Sequence, residues 1–217
     1  MTAQPLFEIP EDESPELLSL ELTEEELVAD LMWPNAVEPP AARPHTELRA
    51  VEPAAPERKL TVQWADPAAV LEAAGGMSGR QYLEAVTRGE LPPPPIAELL
   101  GMEIVEVGDG RATFATRPGE QHYNPIGVVH GGLAATLLDS AMGCAVQSTL
   151  DTAAGYTTLE LKVNFTRPMT WQTGRVFAEA QIVHRGSRVA TAEARLISAE
   201  DGKLLAHGTS TLLILGE

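Results

Sequence analysis

The chain has 217 residues, of which 44% are hydrophobic, and a formal net charge of −16 at pH 7. So acidic a protein lacks the positive surface that nucleic acids and anionic membranes require, and neither is expected as a partner. The single cysteine, Cys144, excludes an intramolecular disulfide and fits a reducing compartment. Neither a secretory signal nor an uncharged apolar run of about 20 residues is found, which predicts a soluble, cytoplasmic protein.

The N-terminal region is the most acidic part of the chain. Residues 1–60 contain 14 acidic and 4 basic residues, together with nine of the 17 prolines. This composition is typical of disordered segments, although residues 14–31 could form an acidic amphipathic helix. We therefore predict a largely disordered acidic extension over residues 1–65, serving either as a solvated tail or as a partner-binding arm.

A lead-in of short helices is predicted for residues 66–101. Asp66 followed by Pro67 is a typical helix start, with the aspartate as N-cap and the proline at the first helical position. Ser78 can cap a second helix in the same way, and a third apolar turn follows the prolines at 92–95.

Residues 102–217 have the pattern of an α+β domain. Alternation of apolar and polar residues begins near Met102, and four more strand candidates follow the single long helix. These candidates are residues 157–166, 175–184, 189–198 and 204–215. Because no second long helix separates them, consecutive strands are expected to pair as an antiparallel meander. The prediction is a sheet of five to six strands wrapped around one central helix.

The long helix begins at Gly131 and carries one carboxylate, Asp139, on an otherwise apolar or small surface. At about 100° per residue, Thr136, Asp139, Ser140 and Gly143 share one stripe, which should face a cavity or another subunit. The glycines at 131–132 can open the helix with free backbone N–H groups, a suitable site for a developing oxyanion. Cys144 lies among small apolar residues and is interpreted as a core thiol rather than a nucleophile.

These features together indicate an active site for acyl chemistry. Besides His122, His130 and the core thiol Cys144, no other histidine or cysteine lies near in sequence to complete a metal set, and no Gly-x-Ser-x-Gly elbow is present for the usual serine hydrolase route. We therefore expect no metal and no cofactor.

Over residues 91–216 the chain resembles the hotdog-fold acyl-CoA thioesterases, specifically the branch related to phenylacetate-pathway thioesterases. A His-Gly-Gly tripeptide by itself would be weak evidence for this family. Several motifs in the same order, on a matching helix and strand, are specific evidence. The motifs are Asn124-Pro125-x-Gly127-x-x-His130-Gly131-Gly132, then Asp139, then the strand Thr157–Phe165 ending at Arg167-Pro168.

The resemblance implies a hotdog fold, dimers that join their sheets edge to edge, commonly dimers of dimers, and two sites at each dimer interface. It implies that Asn124 and the Gly131 N–H of one chain polarise the thioester carbonyl. Asp139 of the other chain would act as general base on water or as nucleophile, and Thr158 would orient the water. Helix geometry agrees, because Asp139 lies about 12 Å along the axis from Gly131.

Two further groups of candidate residues have open roles. His130 either touches the thioester or only positions the turn, and Gly132 is a candidate substrate contact. Coenzyme A, which enters as part of the substrate, carries phosphates that arginine binds well. The resemblance suggests that the arginines at strand ends or turns bind this nucleotide, although they could equally be solubilising. They are Arg167, Arg185 and Arg188.

The leading hypothesis is hydrolysis of an acyl-CoA thioester to a carboxylic acid and CoA. A non-catalytic acyl-CoA sensor is the alternative from another class, and sensors on this fold tend to lack a carboxylate at the position of Asp139. A hotdog dehydratase or hydratase is a further alternative, although its histidine–carboxylate arrangement is not found. An acyl carrier protein could replace CoA, but the acidic surface would repel an acidic carrier.

Overall fold

The computed structural model describes residues 57–152 and 154–216. The predicted acidic extension and its candidate helix lie outside these residues, apart from the last part of the extension. The helices are α1 (Pro67–Ala73), α2 (Gly79–Thr87), α3 (Pro95–Leu100) and α4 (Gly131–Gln147). The strands are β1 (Met102–Gly108), β2 (Arg111–Thr116), β3 (Gly155–Phe165), β4 (Val176–Arg185), β5 (Val189–Ser198) and β6 (Leu204–Leu215).

The lead-in helices begin where the sequence predicts. The Asp66 side chain accepts a hydrogen bond of 2.9 Å from the backbone N–H of Ala68, which satisfies one free donor of α1. Ser78 and Gln81 form a reciprocal capping box at the start of α2. Gly101, at a φ of 60°, ends α3 in the left-handed conformation that glycine adopts most readily.

The six strands form one antiparallel sheet in the order β1-β2-β4-β5-β6-β3 around α4. The helix buries ten of its residues, and its most deeply enclosed side chains have no exposed surface. They are Leu137, Leu138, Ala141, Met142, Ala145 and Val146. The predicted α+β architecture is therefore confirmed. Within the described residues no helix is long and apolar enough to cross a membrane.

The predicted meander is wrong at one connection. β3 pairs with β6, whereas β4 pairs with β2 and β5, so β3 and β4 are not neighbours. The link between β3 and β4 instead crosses the beginning of α4. Val129 donates its N–H to Met169 O at 2.9 Å, and Trp171 donates its N–H to Tyr123 Oη at 3.0 Å. A sheet that wraps a helix can place consecutive strands far apart, which leaves β3 as an edge strand.

Leu159, Leu161, Val163 and Phe165 alternate along β3, which predicts one shared apolar face, and this prediction is partly wrong. A β-bulge at Leu159 interrupts the register with β6, between Thr158 and Glu160. Leu161 and Val163 are half-buried against the core, but the outer ends of the expected apolar face are exposed. Leu159 is 52% exposed and Phe165 is 59% exposed. The extra residue explains the exposure of Leu159, because a bulge redirects the side chains beside it.

One glycine allows α2 to pack closely against the end of α4. Gly79, the first residue of α2, donates its N–H to Leu150 O at 3.0 Å, just beyond the end of α4. A Cβ at this position would lie 2.9 Å from Gln147 Cγ and closer still to the Gln147 carbonyl oxygen. The α2 backbone can approach α4 this closely only because residue 79 has no side chain.

Candidate active site

Asp139 and Thr158 form a direct pair within one chain. Thr158 Oγ1, on β3, donates a hydrogen bond of 3.0 Å to Asp139 Oδ1, on the polar stripe of α4. Both residues are half-buried. Thr158 immediately precedes the bulge, in a part of the strand where the sheet turns its side chains toward the helix. The hydrogen bond orients the carboxylate and leaves Oδ2 as the oxygen that can accept a proton from water.

The Asn124 side chain organises the loop before α4. Its Oδ1 accepts hydrogen bonds from the backbone N–H groups of Ile126 at 3.1 Å and Val128 at 3.3 Å. The Asn124 N–H donates to Val128 O at 2.8 Å, so the loop closes on itself. Since the amide oxygen faces the loop, the Nδ2 group is the part of this side chain that can donate to a ligand.

His130 caps the start of α4. Its Nδ1 accepts a hydrogen bond of 2.8 Å from the Gly132 N–H, and its backbone N–H donates to His122 O at 2.8 Å. This geometry supports the positioning role for His130, and it places the proton of the neutral ring on Nε2. Because the cap uses the Gly132 N–H, the Gly131 N–H is the donor at the helix start that remains for a ligand.

His122 stabilises the same loop through hydrogen bonds to Gly119 and His130. Its Nδ1 accepts a hydrogen bond of 3.0 Å from the Gly119 N–H, and its carbonyl receives the N–H of His130. Burial lowers the pKa of His122 below its ordinary value, which favours the neutral ring that this hydrogen bond requires. These contacts give His122 a structural role in the loop.

Each chain thus carries two separate halves of the predicted site. Asn124 and Gly131 lie at the beginning of α4, and Asp139 and Thr158 lie about 12 Å further along the helix axis. A thioester carbonyl is far smaller than this separation. The two halves of one chain therefore cannot act on the same carbonyl.

The three candidate arginines do not converge within one chain. Arg167 donates from Nη1 to Leu204 O at 2.7 Å, beside a surface cavity of about 430 Å³ that Gly131 and Phe165 also line. Arg185 ends β4 and Arg188 lies in the turn before β5, at the opposite end of the sheet. The two ends of β5 are about 30 Å apart at ~3.3 Å per residue. Arg167 is therefore the candidate that lies near the Gly131 donor.

Sequence reasoning missed Tyr156 as a residue near the site. It lies two positions before Thr158 on β3, so both side chains point to the same face, toward α4. A Cβ at Gly143 would overlap the Tyr156 ring, so this glycine lets the ring lie directly on the helix. The alternation of β3 could have identified Tyr156 once Thr158 was a candidate.

Cys144 is a buried thiol, as the sequence indicates. Burial raises the pKa of Cys144 to about 12, so it is protonated at neutral pH and unsuited to nucleophilic attack. Within residues 57–152 and 154–216, no three histidine, cysteine, aspartate or glutamate side chains come together as metal ligands would.

Residues 126–205 match the family model described as the thioesterase superfamily. A candidate esterase from Halobacterium salinarum is 35% identical over 111 residues, which are 49% of this chain and 72% of that relative. Acyl-coenzyme A thioesterase 13 from Mus musculus is 36% identical over 93 residues, covering 42% of this chain and 64% of the relative.

Solved structures give the same result. The crystal structure of a candidate thioesterase, a phenylacetic acid degradation-related protein from Ralstonia eutropha JMP134, is 32% identical in sequence with a TM-score of 0.55. The similarity covers 61% of this chain and 98% of that chain. The resemblance drawn from the motifs is thereby confirmed, and the chain belongs to the thioesterase superfamily.

Proposed function

We propose that this protein hydrolyses an acyl-CoA thioester to a carboxylic acid and CoA. The observation that carries the proposal is the hydrogen bond from Thr158 Oγ1 to Asp139 Oδ1, on the polar stripe of the central helix of a thioesterase-superfamily fold. The names of the relatives support the substrate class, because one is an acyl-coenzyme A thioesterase and another a 1,4-dihydroxy-2-naphthoyl-CoA hydrolase. A non-catalytic sensor has no need of an oriented carboxylate.

The proposed reaction uses both halves of the site. Asp139, held by Thr158, takes a proton from water as the water oxygen attacks the thioester carbon. Asn124 Nδ2 and the Gly131 N–H donate to the carbonyl oxygen, where negative charge develops in the tetrahedral intermediate. The intermediate then expels the CoA thiolate, which recovers the proton from Asp139. Arg167 is the candidate for binding the CoA phosphates near the Gly131 half-site.

The proposal predicts release of free CoA from acyl-CoA substrates. The measurement is DTNB detection of the CoA thiol, using purified full-length protein and a panel of aliphatic and aryl acyl-CoAs at neutral pH. Turnover above the rate without enzyme is expected for at least one member. A protein that binds these thioesters but releases no CoA would instead be an acyl-CoA sensor.

We further propose that the site is completed in a homodimer joined through β3. This strand is 11 residues long and lies at the edge of the sheet, with no strand on its outer side among the described residues. An open strand edge of this length readily pairs with another chain. Such pairing would bring Asn124 and Gly131 of one chain toward Asp139 and Thr158 of the other. Within one chain these two half-sites are about 12 Å apart, too far to act on one carbonyl.

The directions of the backbone N–H and C=O groups on β3 limit which residues of the two chains can lie opposite each other. Thr166 donates its N–H to Leu205 O at 2.9 Å, and Ser210 Oγ donates to Glu160 O at 2.8 Å. Even-numbered residues after the bulge therefore direct their backbone groups toward β6, and Leu161, Val163 and Phe165 direct theirs to the free edge. A two-fold axis at Leu161 places Glu160 opposite the partner's Lys162. An axis one residue away in either direction would pair Glu160 or Lys162 with its own copy.

Charge reversal tests this register. We expect Glu160→Lys to raise the dimer Kd about 2- to 30-fold, because two symmetric opposite-charge pairs become like-charge pairs. The double change Glu160→Lys with Lys162→Glu restores opposite charges and should restore the wild-type Kd. Sedimentation equilibrium at low ionic strength measures both values. A single variant that associates like wild type, or a double variant that does not recover, would contradict the Leu161-centred register.

A further inference from the structure

A cavity of about 590 Å³ lies between the lead-in helices, β1, β2 and the face of α4 next to Asp139. We call it the lead-in cavity. Its α4 wall consists of Ser140, Cys144 and Gln147, which follow one another at helical spacing. Ser140 is the residue directly after Asp139, so this wall adjoins the polar stripe that carries the carboxylate.

Tyr156 links the lead-in cavity to the Asp139 half-site. Its side chain lines the cavity, while Thr158, two residues later on the same face of β3, contacts Asp139. Two lining residues therefore adjoin the half-site, since Ser140 follows Asp139 on α4 and Tyr156 lies two residues before Thr158 on β3. A substrate whose thioester lies at Asp139 can extend its acyl group past Tyr156 into the cavity.

The residues that line the cavity favour an uncharged, aliphatic acyl group. Among the described residues that line the cavity, none carries a charge, so a carboxylate or an amine at the end of an acyl chain would lose its hydration without an oppositely charged partner. The walls are mainly aliphatic, and the methionines adapt easily to the shape of a flexible chain. The principal apolar residues are Met77, Leu83, Val86, Ile96, Met102 and Ile104.

The outer wall of the cavity comes from helices that carry none of the proposed catalytic residues. Helices α1, α2 and α3 all precede Asn124 in the chain. Helix α2 is firmly attached, since its Leu83 and Ala85 are buried and Gly79 contacts the end of α4. The volume of the cavity is thus set largely by residues other than the proposed catalytic ones.

We propose that the lead-in cavity binds the uncharged aliphatic tail of the acyl group, and that Val86 on α2 is a specificity-determining residue for its length. This inference rests on the proposed thioesterase function. Each methylene buried in the cavity should raise kcat/KM up to about fourfold until the space is filled. Octanoyl-CoA should therefore exceed butyryl-CoA by about tenfold or more in kcat/KM.

Substitutions at Val86 test the inference in both directions. Val86 is half-buried, and Val86→Phe fills part of the cavity. The octanoyl-to-butyryl ratio of kcat/KM should fall about tenfold or more, because space for two or more methylenes is lost. Val86→Ala enlarges the cavity and should move the optimum to a longer chain. Val183→Phe, the same change at a residue that is 61% exposed on β4, is the matched control and should keep the wild-type ratio.

The measurement is DTNB-detected hydrolysis of butyryl-, octanoyl-, dodecanoyl- and phenylacetyl-CoA by full-length protein. Opposite shifts in the two Val86 variants, with the control unchanged, support the inference. Unchanged chain-length profiles in both Val86 variants overturn the inference and leave the thioesterase function intact. A wild-type preference for phenylacetyl-CoA over every aliphatic substrate has the same two consequences. Absence of CoA release from any substrate overturns the proposed function and this inference together.

Discussion

Asp139→Asn is expected to lower kcat about 10²- to 10⁴-fold, the range typical for loss of a positioned general base. The substitution is nearly isosteric, and the amide oxygen of the introduced asparagine can still accept the hydrogen bond that Thr158 donates to Asp139. The fold and the dimer should therefore persist, and the loss should appear in kcat rather than in KM. Stopped-flow or DTNB kinetics measure the effect, with circular dichroism and sedimentation as controls for folding and association.

Thr158 provides a graded comparison. Thr158→Ala removes the hydroxyl but keeps the carboxylate, and the lost hydrogen bond to a charged group should lower kcat by roughly 10- to 100-fold. Thr158→Ser retains a hydroxyl at the same position and should recover most of the activity. Full activity of Asp139→Asn would eliminate the general-base role, whereas equal activities of the alanine and serine variants would eliminate the orienting role of Thr158.

Mixing two inactive variants should restore activity. Asn124→Ala removes a carbonyl donor and is expected to lower kcat about 10²- to 10³-fold, and Asp139→Asn removes the base. If each site combines Asn124 of one chain with Asp139 of the other, a mixed dimer contains one intact site and one doubly altered site. Random exchange should then recover about a quarter of wild-type activity, because half of the dimers are mixed and each has one working site.

The mixing experiment needs proof of exchange. Native mass spectrometry of chains with different tags measures the fraction of mixed dimers, and each variant mixed with itself provides the baseline. Mixed dimers that form but remain at this baseline would show that Asn124 and Asp139 belong to the same site in one chain. That result would remove the reason for a site shared between two chains.

The local features of this fold were predictable because they depend on neighbouring residues. The observed bounds of β5 and β6 equal the predicted ones, since turn-forming residues flank both strands. The cap at Asp66 and the single long helix from Gly131 were found for the same reason. Family motifs named both Asp139 and Thr158 as candidate site residues, and a hydrogen bond connects the two.

The features that were not predictable depend on distant contacts. The pairing of β3 with β6 joins residues about 50 positions apart, and no local pattern distinguishes it from pairing with β4. The separation of Arg167 from Arg188 follows from the same topology. The lead-in cavity is formed by four segments that meet only in the folded chain, so helix patterns alone could not reveal it.

The contact of Gly79 with the end of α4 has a consequence for how this enzyme can diversify. Helix α2, which bounds the cavity, meets α4 at Gln147, about two turns beyond Asp139. Mutations on the cavity side of α2 can therefore alter substrate range while leaving the proposed catalytic residues unchanged. Substrate preference and catalytic power can evolve as separate traits in this protein, provided that residue 79 remains a glycine.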